Sequence, residues 1–124
     1  MTDTDPTQVV RGFCAAWPDL DLDVISAFFA DDATYHNIPM DPVHGRDAIR
    51  TTIAGFTTGV ESVEFRVDHL AAAGPVVLTE RMDIFVMPSK RIELPVMGTF
   101  EVRDGKITAW RDYFDLNMFM AQMA

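Results

Sequence analysis

The chain has 124 residues, 48% of them hydrophobic and 23% charged, which excludes a disordered chain and predicts one domain with one core and room for one cavity. Ten basic and nineteen acidic residues leave a formal charge of −9, and a surface of that sign repels phosphate backbones and anionic lipids, which argues against nucleic-acid and membrane partners.

Asp5 followed by Pro6 reads as an N-cap with proline in the first helical position, and Val9, Val10, Phe13, Cys14 and Trp17 recur on one helical face. The first helix therefore runs to Trp17 and Pro18. The acidic run from Asp19 to Asp23 opens a second short helix carrying Leu22, Ile25, Phe28 and Phe29, with Asp31 and Asp32 closing it. Ala33 to Ile38 is rich in β-formers and stopped by Pro39, which predicts a strand or extended arm. A turn from Pro42 to Gly45 leads into a third helix, where Ile49, Ile53 and Phe56 share a face before Gly59.

Beyond residue 60 the period changes to two. Val63, Phe65 and Val67 alternate with Glu64, Arg66 and Asp68, and Gly74-Pro75 turns the chain into a strand from Val76 to Met87. Pro88-Ser89-Lys90 leads to a strand from Arg91 to Val102, and Asp104-Gly105 makes a tight hairpin into Lys106 to Asp115. These strands are expected to be antiparallel and sequential, and Leu116 to Met123 returns to helix-compatible residues. Helices first and long strands after is an α+β pattern, with helices laid on one face of a curved sheet.

Cys14 is the only cysteine, so there is no internal disulfide, and three histidines without cysteine partners give no metal-ligand spacing. The start from Met1 to Pro6 has no basic segment leading into an apolar one, and no run of about 18 apolar residues exists. A cytoplasmic chain without metal or cofactor is expected.

Local rules fail in two strands. Alternation places Arg81 and Asp83 on the same face as Phe85, and Asp112 on the same face as Trp110 and Phe114. On the covered face these charges would lie in a dry pocket, where an ion costs several kcal/mol unless it is paired. One arginine between two aspartates can satisfy all three groups. Tyr35 and Asn37, two apart, bring a hydroxyl and an amide to one side, suited to holding water, while His36 points away. Spacing alone leaves open a solvated cross-strand pair worth about 0–1 kcal/mol.

Four segments carry a family resemblance: Ala33-Thr-Tyr-His-Asn-Ile-Pro39, Gly45-Arg-Asp-Ala-Ile49, Thr79-Glu-Arg-Met-Asp83, and Gly105-Lys-Ile-Thr-Ala-Trp-Arg-Asp-Tyr-Phe-Asp-Leu116. Together they resemble the limonene-1,2-epoxide hydrolase family, a branch of the cone-shaped nuclear-transport-factor-like and SnoaL-like folds, from about Val9 to Phe119. The resemblance implies a curved mixed, mainly antiparallel sheet of about six strands with three to four helices on its concave face. It implies a lipophilic epoxide (terpene- or cycloalkene-like) and water as substrates and a vicinal diol as product. Asp112 would be the general base, acting on a water held with Tyr35 and Asn37; Asp83 would be the general acid, and Arg81 would bridge the two aspartates. Trp17, Phe85, Leu94, Val96, Phe114 and Phe119 would form the pocket wall, and a homodimer would be the assembly. Such a mechanism needs one aspartate ionised and the other protonated at a single pH. The runners-up are a cone-fold isomerase or polyketide-cyclase-like enzyme, for which a bridging arginine is superfluous, and a non-catalytic small-lipid binding module.

Overall fold

The computed structural model describes residues 4–124, and the acidic opening from Met1 to Asp3 lies outside them. Helix α1 (Pro6–Ala15) starts as its sequence predicts, with the Asp5 carboxylate accepting the Thr7 N–H. The first helix ends sooner than its periodicity predicts, a single 3₁₀ turn (Trp17–Asp19) follows, and α2 (Leu22–Ser26) is capped by Asp21, within the acidic run expected to open it. Helix α2 is shorter than expected because Phe28 and Phe29 find better partners. The Phe28 carbonyl accepts the Ile107 N–H at 2.8 Å, and Phe29 opens β1 (Phe29–Asn37) opposite Ile107. Sheet pairing thus replaces the last helical turn and lengthens the arm predicted from Ala33. Within the predicted turn, Val43–His44 forms a short β2 against Tyr35 and Thr34, and α3 (Arg46–Phe56) buries Ile49 and Ile53.

Four long strands follow: β3 (Ser62–Ala73), β4 (Val76–Met87), β5 (Lys90–Arg103) and β6 (Lys106–Tyr113). They pair in sequence and antiparallel, as their alternation predicts, and Asp104 and Gly105 both take positive φ in the last hairpin. The sheet order is β2-β1-β6-β5-β4-β3, and β1 runs parallel to β6. That one parallel contact makes the sheet mixed and sets Asn37 beside Asp112.

The helices pack on one face of this curved sheet around an aromatic core. Phe13 of α1 meets Trp17, Phe28, Phe29, Phe100 and Trp110 edge-on, with ring centroids 5.0–5.8 Å apart. Among the described residues, no helix is long and apolar enough to cross a membrane.

One end of the sheet opens for the cavity. Strand β6 pairs with β5 only as far as Met97↔Tyr113, so the first half of β5 has a free edge there. Pro95, which has no N–H to give a ladder, falls on that stretch. Helix α4 (Leu116–Met123), N-capped by Asp115, lies against it. The Gln122 amide accepts the Glu93 N–H at 3.0 Å and donates to the Glu93 carbonyl at 2.9 Å, standing in for a missing strand. Lys90 Nζ donates to the Met123 carbonyl at 2.8 Å.

Candidate active site

A cavity of about 180 Å³ lies between the inner sheet face and α4. Its polar end is made by Tyr35, Asn37, Asp83 and Asp112. Tyr35 and Asn37 come from β1, Asp112 from β6 and Asp83 from β4, all strands paired on both sides, and Asp83 and Asp112 are each only 4% exposed.

Arg81 lies behind the two aspartates rather than in the cavity wall, 1% exposed. Its Nε and Nη2 donate to the two oxygens of Asp83 at 2.9 and 2.8 Å. Nη1 and Nη2 donate to the two oxygens of Asp112 at 3.1 and 2.8 Å. The fifth N–H goes from Nη1 to Thr79 Oγ1 at 3.2 Å. Every donor of the guanidinium therefore has an acceptor, which is the condition for an arginine to sit charged in a dry interior. Burial works against that charge, but Asp112 and Asp83 outweigh it and hold the group well above its ordinary pKa. The guanidinium carbon also lies 4.6 Å from the centre of the Phe65 ring.

The two aspartates differ in their surroundings. Asp112 accepts a third donor, the Trp110 indole N–H, at 2.7 Å, so its environment is built for a carboxylate. Among the described residues Asp83 has only Arg81 as a side-chain donor, and burial dominates: its pKa is pushed up from 3.8 to about 6 against the pull of the guanidinium. Tyr35 stacks on Trp110 with centroids 4.1 Å apart and donates its hydroxyl to Asn37 Oδ1 at 3.1 Å. This leaves the Asn37 N–H groups and a lone pair of the phenol to engage a third molecule. Burial and the nearby Asp112 charge push the phenol far above its ordinary pKa, so it stays a neutral donor.

The site is thus an apolar cavity ending in two arginine-bridged carboxylates, one complementary to a negative charge and one disposed to hold a proton, beside a hydroxyl and an amide. The sequence pattern of the limonene-1,2-epoxide hydrolase catalytic domain matches residues 4–124. The chain belongs to the limonene-1,2-epoxide hydrolase family. It is 36% identical over 107 residues to the epoxide hydrolase EphG of Mycobacterium tuberculosis, spanning 86% of this chain and 71% of that protein. A solved M. tuberculosis epoxide hydrolase described as LEH-like superposes with a TM-score of 0.84 at 34% identity, covering 95% of this chain and 89% of that one. A Shewanella denitrificans protein assigned as a SnoaL-like polyketide cyclase gives a TM-score of 0.85 at 18% identity, covering 95% and 96% of the two chains, a likeness of fold alone.

In this chain the expected wall residues Phe85, Leu94, Val96, Phe114 and Phe119 all line the cavity, and Phe119 of α4 meets Phe85 edge-on at 6.3 Å. Trp17 does not line it. Its ring is fully buried one layer back, stacked at 4.4 Å on Phe65, which is itself a wall residue. The family resemblance put Trp17 in the wall, and helical periodicity, which gives only the inward direction, cannot distinguish the first layer from the second. Trp110 and Thr79, both ligands of the charged cluster, are the partners that sequence reasoning missed. Trp110 shares the inward face with Asp112, and that i, i+2 relation was a usable signal.

The remaining polar candidates have local roles. His36 pairs with the Met40 carbonyl, His44 with Thr34 and His69 with Glu80, all at exposed positions. Arg111 pairs with Glu101 on the opposite sheet face. Cys14 is buried in the core, where burial pushes its thiol up to about 12 and removes it as a nucleophile.

Proposed function

We propose that this protein adds water to a compact lipophilic epoxide, terpene- or cycloalkene-like, by one-step general acid/base catalysis. The observation that carries this reading is the single buried arginine whose N–H groups are divided between two aspartates that both face the cavity. Asp112 takes a proton from a water held by Asn37 and Tyr35, and the water oxygen attacks one ring carbon. As the C–O bond breaks, the Asp83 proton passes to the departing oxygen and a vicinal diol results. The neutral phenol and the high thiol pKa leave carboxylates as the groups able to exchange protons near neutrality. Arg81 compensates the negative charge as the proton changes sides.

The cavity supports the substrate class. At about 180 Å³ it is smaller than the roughly 300–1,000 Å³ of drug-sized ligand sites. Its apolar wall distinguishes substrates by shape, and one methylene is worth about 1–3 kcal/mol there.

Incubation with terpene, cycloalkene and styrene-type epoxides tests the reading. Diol supports it, isomerised ketone would indicate a proton shuttle, and binding without turnover would indicate a binding module. A single turnover in ¹⁸O-water should label the diol and leave Asp112 unlabelled; label in the protein would overturn the one-step route. The homodimer expected of the family would use the outer sheet face, where Met97 and Tyr113 are register partners and both exposed. Light scattering on the protein and on Met97→Glu tests that assembly.

A further inference from the structure

Thr79 of β4, Gly98 of β5 and Asp112 of β6 form one row of register partners across the inner sheet face. Along β5 the inward positions from Ile92 to Val102 are Ile92, Leu94, Val96, Gly98, Phe100 and Val102, so Gly98 is the one gap in a row of bulky side chains. The Arg81 guanidinium occupies that gap, crossing β5 from its own strand to reach Asp112 on β6. A Cβ at Gly98 would lie 2.4 Å from Arg81 Nη1, 2.6 Å from Asp112 Oδ1 and 3.0 Å from Thr79 Oγ1. The requirement is one of space, because Gly98 is not among the residues with positive φ. Thr79 closes the other side. It is fully buried, accepts the guanidinium N–H that neither aspartate takes, and donates its own hydroxyl to the Gly98 carbonyl at 3.4 Å.

We propose that Gly98 and Thr79 are positioning residues for the acid/base pair: Gly98 leaves the opening through which Arg81 spans β5, and Thr79 anchors the guanidinium in that opening. Without the opening, Arg81 would retain Asp83, two residues away on its own strand, and lose Asp112. Without the threonine hydroxyl, one buried N–H would have no acceptor and the fork would turn to find one. The inference rests on the epoxide-hydrolase reading for its kinetic readout only. Besides the two aspartates, the titratable groups coupled to the guanidinium are Tyr35 on β1 and Cys14 on α1, and both stay neutral near pH 7.

The test compares Gly98→Ala, Thr79→Val and Thr79→Ser with the wild type, and uses Gly55→Ala as a control, since a Cβ at Gly55 meets nothing within 4 Å. Gly98→Ala is expected to lose about 100-fold in kcat for epoxide hydrolysis. Its KM should stay within about twofold, because Gly98 does not line the cavity. Thr79→Val should lose about tenfold in kcat, the equivalent of one buried hydrogen bond, and Thr79→Ser should stay close to wild type. A wild-type kcat in Gly98→Ala, a loss confined to KM, or equal behaviour of Thr79→Val and Thr79→Ser would overturn the assignment. If Gly98→Ala does not fold, the Thr79 pair decides. A ¹³C-carboxyl NMR titration reads the same arrangement without turnover. Aspartate titrations altered in Gly98→Ala but not in Gly55→Ala support it, and unaltered ones refute it. An inactive wild type would refute the proposed reaction and leave this titration to stand or fall separately.

Discussion

Replacing Asp83 by asparagine removes the proposed acid and, with it, a pH dependence of folding that can be worked out in advance. In the folded chain burial raises the Asp83 pKa from 3.8 to about 6. The native state therefore binds this proton more tightly than the unfolded chain does. The stabilisation is complete below the unfolded pKa and is lost as pH rises through the folded one. Roughly two pH units at about 1.4 kcal/mol each give about 3 kcal/mol, lost between about pH 4 and pH 6.5. Asp83→Asn has no such proton, so the wild type should lose about 3 kcal/mol relative to it over that window. Urea unfolding followed by tryptophan fluorescence at a series of pH values measures the difference, and comparing the two proteins cancels the exposed carboxylates they share. The same variant should lose about 10²- to 10⁴-fold in turnover, the usual contribution of a positioned acid. Parallel stability curves would refute the desolvation of Asp83 on which its assignment as the acid rests.

The wild-type kcat/KM should fall about tenfold per pH unit above about pH 6, as Asp83 loses its proton; a rate flat to about pH 8 would contradict this. Asp112→Asn should keep the fold and abolish diol formation, checked by circular dichroism and product analysis. Trp110→Phe keeps a ring for Tyr35 to stack on but removes the 2.7 Å bond to Asp112, so kcat should fall about 10- to 100-fold, the worth of one hydrogen bond to a charge. Gln122→Ala should free α4 from β5, raising KM more than it changes kcat and accelerating amide exchange at Glu93, whose N–H it releases.

The residues of the charged cluster were legible because side-chain direction in a strand follows from a backbone period of two. That period put Arg81 and Asp83 on one face with Phe85, and Asp112 on one face with Trp110, and the cost of an unpaired buried charge meant that they would have to meet if that face were the covered one; the tertiary structure covers it. Asp5 and Pro6 likewise fixed the start of α1, since an N-cap acts within its own turn. The end of α2 was not legible, because Phe28 and Phe29 suit a helix until Ile107 offers them a strand. Periodicity put Trp17 on the inward helix face, where it lies, but its place in the wall came from the family resemblance, and direction says nothing of depth: Phe65 stands between it and the cavity.

By itself the sequence determined which side chains share a strand or helix face, where most chain turns fall, and that two acids and one arginine lie on faces carrying large apolar residues. Tertiary structure decided which of these groups touch. The parallel docking of β1 on β6 brings Asn37 to Asp112, the register of β4, β5 and β6 aligns Thr79, Gly98 and Asp112, and the early end of β6 opens the cavity under α4. Alternation is a property of each strand's own backbone, whereas partnership between strands is settled only when distant segments compete to bury their apolar faces together.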